Sequence, residues 1–189
     1  MKTLQRILFF TAVICLIVSC SKYEGDDMNV SLKKGKAEPT TVTVPFKADF
    51  VGNYDDVSVN ATCGDFPNMM VTNTGGGTGS HLGNFTHYFE FCCDVISGYY
   101  PLGHMVAYLT AANGDVLFVS CEGQVIDGRA EDHPDYVISY FRDPFVILGG
   151  TGRFAGAKGS GMTDDYNSSL DPYSHHHWTG TITLIKGNQ

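Results

Sequence analysis

The sequence predicts an all-β fold of short antiparallel strands, and three observations carry that reading. Apolar and polar residues alternate at period two in several separate segments, and no segment after residue 40 shows a sustained helical apolar stripe. The composition, 22 Gly with 12 Phe and 10 Tyr, suits a sandwich or barrel.

The elements follow in order. Over residues 41–50, Val42, Val44, Phe46, Ala48 and Phe50 share one parity and Thr41, Thr43, Pro45, Lys47 and Asp49 the other, which describes a half-buried strand. Further strands are expected at 85–91, 105–110, 116–121 and 136–148, each bounded by Gly, Asn, Asp or Pro. Asn113-Gly114 is a type I′ hairpin signal, so residues 109–121 should form two antiparallel strands, with Asp115 capping the turn rather than acting as a catalytic acid. The chain ends in another strand, with Trp178, Gly180, Ile182 and Leu184 opposite His177, Thr179, Thr181 and Thr183.

The stretch FVILGGTGRFAGAKGSG, residues 145–161, begins like a turn that cradles a dinucleotide. Such a site needs the turn to enter a helix within a βαβ unit. Here it enters Ala157-Lys158-Gly159-Ser160-Gly161, poor helix material, with fewer than 40 residues left. The glycines suit instead a strand pair bending at a barrel corner. No cofactor is expected.

Upstream, Lys2 and Arg6 precede an apolar run that ends Ile17-Val18-Ser19-Cys20, the n-region and h-region of an export signal. The ending resembles the bacterial lipobox, which implies a leader over 1–19 and lipidation of Cys20. Residues 20–39 are polar and hold little that could pack, so they read as a lipid-anchored tether, leaving 40–189 as one barrel domain. Asp26 and Asp27 behind the cysteine resemble the signal that carries Bacteroidetes lipoproteins to the outer face of the outer membrane. Loss of the leader removes Lys2 and Arg6 and moves the net charge from -8 to -10, a surface that repels phosphate backbones. Nucleic acid is not an expected partner.

Of Cys63, Cys92, Cys93 and Cys121, the neighbours 92 and 93 point to opposite faces of a strand, so at most one disulfide forms easily; buried free thiols are the alternative. His175 and His177 share a strand face at a spacing that a metal could bridge, with solvated loop histidines as the plainer reading, and His176 faces away. His87 shares parity with Phe85, Phe89 and Phe91 and would face the apolar side, as a core histidine or, in an open lumen, as its polar lining. Arg153 could hold an anionic ligand, although an arginine in a tight Gly turn more often pairs with a nearby acid or carbonyl. No Gly-x-Ser-x-Gly elbow or His-Glu-x-x-His is present.

Three stretches carry a family resemblance: residues 149–161, His81-Leu82-Gly83-Asn84-Phe85-Thr86, and Ala111-Ala112-Asn113-Gly114-Asp115 with the strand after it. Their order over residues 81–185 is similar to allene oxide cyclases, plant dirigent proteins and bacterial proteins with an allene-oxide-cyclase-like barrel. The resemblance implies an antiparallel β-barrel. Nothing at residues 46–62 reproduces the cyclases' early-barrel motif, so no catalytic residue carries over.

The expectation is a lipid-anchored envelope barrel that binds a small hydrophobic ligand or a partner, with His87, Phe85, Phe89 and Arg153 as candidate ligand-binding residues. The alternative is an isomerase or cyclase acting on a hydrophobic substrate inside the barrel. Whether the chain forms a homo-oligomer is left open.

Overall fold

The computed structural model describes residues 39–101 and 105–187. Cys20, the leader and the tether up to residue 38 lie outside the described residues. The strands are β1 (Thr41–Ser58), β2 (Asn68–Gly79), β3 (Gly83–Asp94), β4 (Tyr99–Tyr100), β5 (Met105–Ala111), β6 (Val116–Cys121) and β7 (Gly123–Gln124). They continue as β8 (Ile126–Asp127), β9 (Val137–Phe141), β10 (Pro144–Gly150), β11 (Lys158–Thr163), β12 (Asp165–Ser168) and β13 (Ser174–Ile185).

Eight of these close into an antiparallel barrel in the order β1-β2-β3-β5-β6-β10-β11-β13, with β13 returning to pair along β1 from Thr41↔Ile185 to Gly52↔Ser174. Closure removes the sheet edges, and a short flap of β12, β9 and β8 extends from β13 at one end. Alternation decides which side chains fill the interior. Phe46, Ala48 and Phe50 of β1, Phe85, His87 and Phe89 of β3, Leu117 and Val119 of β6, and Trp178 and Ile182 of β13 are all buried.

The reading of residues 136–148 as one strand is corrected. Burial alternates without interruption through Asp143, but the backbone changes partners there: β9 pairs with β8 and β12, and β10 with β6 and β11. The hairpin of β5 and β6 forms as expected, but not through a type I′ turn. Gly114 N–H bonds Ala111 C=O at 2.9 Å and Gly114 has φ +88°, whereas Asn113 has no positive φ; this is a type I turn closed by a left-handed glycine. The glycine stretch after β10 enters one 3-10 turn, Gly152–Phe154, and then β11, so no helix stands where a dinucleotide would need one.

Among the described residues one disulfide forms, Cys63–Cys92. It ties the short 3-10 segment Ala61–Cys63 to β3, while Cys93, on the opposite face of that strand, is a buried free thiol like Cys121.

Candidate functional site

The interior of the barrel is full of rings at its centre and open toward one end. Trp178 stacks on Phe145 (centroids 5.2 Å apart) and Phe89 (5.8 Å), and meets the edge of Phe50 at 5.3 Å. Beyond this layer lies a cavity of about 120 Å³. Phe89, Phe91, Val71, Met105, Cys121 and Trp178 supply most of its wall; Asn73, Tyr100, Thr163, Asp165 and His176 supply the polar part. Tyr54 and Val57, both exposed, also line it and mark its mouth.

Asp165 anchors a chain of hydrogen bonds that crosses the barrel. Its Oδ2 accepts from His176 Nδ1 (2.8 Å) and Trp178 Nε1 (3.0 Å), and its Oδ1 accepts from the His177 backbone N–H (3.0 Å). With Nδ1–H committed to the carboxylate, neutral His176 offers Nε2 as an acceptor to the Ser174 hydroxyl, 2.9 Å away. Asn73 Nδ2 donates to Ser174 Oγ (3.1 Å), which fixes the orientation of the amide, and Asn73 Oδ1 then accepts from His87 Nε2 (2.8 Å). Ser174 also has the Gly52 carbonyl within 3.2 Å.

Small residues make room for this chain. A Cβ on Gly52 would fall on the Asn73 amide and 2.9 Å from His87 Nε2, and one on Gly75 would lie 2.8 Å from the His87 ring. His87 is left with a buried Nδ1 that has no hydrogen-bond partner. Burial, then the neighbouring His176, lowers its pKa to about 3, so the ring is neutral at physiological pH.

A second buried pair stands at the cavity wall. Tyr100 donates its hydroxyl to Asp143 Oδ2, and Gln124 N–H reaches Asp143 Oδ1 at 3.3 Å. Burial raises both Tyr100 and Asp143 above their ordinary values. The thiols behave alike: burial pushes Cys93 up to about 11 and Cys121 well up, which keeps both protonated and poorly nucleophilic.

The structure brings together some of the residues singled out from the sequence and separates others. Phe89 lines the cavity; Phe85 is buried against Phe50 but does not line it. His87 faces the interior as its parity predicts, yet it touches the lining residues Asn73 and Phe89 without lining the cavity itself. Arg153 lies in a separate open groove with His81 and Lys186, donating from Nε to Asp115 (3.2 Å) and from Nη1 to the His81 carbonyl (3.0 Å). Asp115 also accepts from Asn113 Nδ2 at 2.9 Å, the turn-bracing role read from the sequence.

His175 and His177 do share a face, but the Tyr166 ring stacks on both, at 4.7 and 5.9 Å. Each has its own carboxylate, Asp171 at 3.1 Å and Asp49 at 2.8 Å. Among the described residues no group of three or more His, Cys, Asp or Glu is placed to hold a metal. His176, on the face away from His175 and His177, shares the inward parity of Trp178 two residues on, and that parity is the signal that places it inside. Asp165 carried no such signal; its role arises only because β12 folds beside β13.

Compared with known proteins, the chain matches no family model, no curated protein and no solved structure.

Proposed function

We propose that this protein is a ligand-binding barrel, holding a small hydrophobic molecule in the end cavity and tethered to the outer membrane through Cys20. The observation that carries the reading is the cavity itself: a ring-sized space inside a closed barrel, walled by aromatic and aliphatic side chains and reached past Tyr54 and Val57. Apolar cavities of about this size accept benzene-sized guests.

Proton transfer to a guest, as an isomerase would need, finds less support. Both nitrogens of His176 are taken, by Asp165 and Ser174, and the Tyr100 hydroxyl is taken by Asp143. Neither of these two residues keeps the free acid or base atom that general catalysis requires. The resemblance of three stretches to allene-oxide-cyclase-like barrels bears on the architecture of this reading more than on a shared chemistry.

Trp178 is the chain's single tryptophan and lines the cavity, so its fluorescence reports occupancy directly. Toluene should shift or quench that emission saturably, and Val71→Phe, which adds a ring to the wall, should remove the response. Emission that changes linearly without saturation, or equally in the variant, would refute lumen binding. In cell fractions, Cys20→Ala should leave the membrane, because the multiple acyl chains of a lipoprotein are what hold it there.

A further inference from the structure

The charge on the cavity wall narrows the class of guest. Asp165 is the carboxylate that lines it, and no lysine or arginine does. The other polar groups there are already engaged: Tyr100 with Asp143, Tyr54 with Asn167 at 3.2 Å, and Thr163 with the Asp143 N–H at 3.0 Å and the Phe141 carbonyl at 3.2 Å. Asp165 is not saturated. A carboxylate offers about four lone-pair sites, and the three donors it meets leave acceptor capacity on Oδ1, which takes only the His177 N–H.

Asp165 adds a negative contribution to the potential at this wall. Burial comes first in raising Tyr100, Asp143 and Cys121, and the Asp165 charge adds to the rise in all three. A carboxylate guest would enter against that potential with no lysine or arginine to meet it. A protonated amine would meet a carboxylate of opposite sign within an aromatic wall. The acidic chain, net charge -8, draws cations toward the mouth.

Resting on the lumen-binding reading, we propose that the cavity is selective for a small aromatic amine, its ring among Phe89, Phe91 and Trp178 and its ammonium group donating to Asp165. The guest is one ring with a short arm, as a volume of about 120 Å³ requires. Fatty acids and aryl carboxylates are excluded.

A series matched in shape tests this on the unaltered full chain at neutral pH: benzylamine, benzyl alcohol and benzoate, each titrated against Trp178 fluorescence. The expected result is a Kd for benzylamine at least ten-fold below that of benzyl alcohol, with benzoate weakest. Benzyl alcohol binding as tightly as benzylamine overturns the amine selectivity while leaving the lumen reading intact; silence from all three compounds overturns both. Asp165→Asn should bring benzylamine to the level of benzyl alcohol, and a folded variant that keeps the preference refutes the role of Asp165. Should that variant not fold, intermolecular NOEs on the unaltered protein decide instead. Contacts from the benzylamine methylene to the His176 and Trp178 rings support the assignment, and contacts confined to other residues overturn it.

Discussion

Asp165→Ala should lower the stability of the barrel by roughly 3–5 kcal/mol, the range found when one partner of a buried pair is removed. The carboxylate is buried and serves three donors on β13: the ring N–H of His176, the indole N–H of Trp178 and the backbone N–H of His177. Deletion strands all three, and each unsatisfied buried donor costs about 1–3 kcal/mol, reduced here where water entering the cavity can replace the carboxylate. Set against the 5–15 kcal/mol that holds a typical domain together, this leaves a large unfolded fraction at moderate urea. Urea denaturation followed by circular dichroism measures it. A loss below about 1 kcal/mol would show that the hydrogen-bond chain across the barrel is decoration rather than structure.

Gly152→Val is the second large effect, with an expected cost of roughly 2–4 kcal/mol from strain at a left-handed backbone position and the loss of a side-chain network. Gly152 has φ +51°, and a Cβ there would land on the Asp115 carboxylate. That carboxylate cannot simply move aside, because it braces Asn113 in one hairpin and Arg153 in the next. Gly128→Ala provides the comparison: φ is +85° but nothing lies within 4 Å, so it isolates the backbone penalty, about 1 kcal/mol. Thermal denaturation of the two variants separates strain from collision. Equal, small shifts would mean that the Asp115 contact is not part of what closes the barrel corner.

The fold was legible wherever a strand has one wet face and one dry one. Phe46, Ala48 and Phe50, and Phe85, His87 and Phe89, fall on the parity that alternation assigns them, and the glycines after Leu148 mark a barrel corner instead of a nucleotide turn. β2 was not legible. Its Gly75-Gly76-Gly77 run has no side chains to alternate, and these positions stay small because Phe50, His87 and the neighbouring backbones occupy the space. The partner switch at Arg142-Asp143 was hidden for the opposite reason, since alternation runs through it undisturbed and only pairing distinguishes β9 from β10.

The site was half legible. Parity placed His87 and Phe89 inside, but whether a buried histidine lines a space or fills one depends on its neighbours across the barrel, here Asn73 from β2. Asp165 and Tyr100 lie far apart in sequence and meet in one wall only through closure and the folding-back of the flap. In the run His175-His176-His177 the middle residue, rather than the outer two, reaches the interior.

A ligand in the end cavity would be located by anomalous diffraction from crystals soaked in bromobenzene. A bromine peak is expected inside the barrel, among Phe91, Met105, Cys121 and Trp178. Bromine found only on the outer surface, with this space left to ordered water or closed by its own side chains, would contradict it.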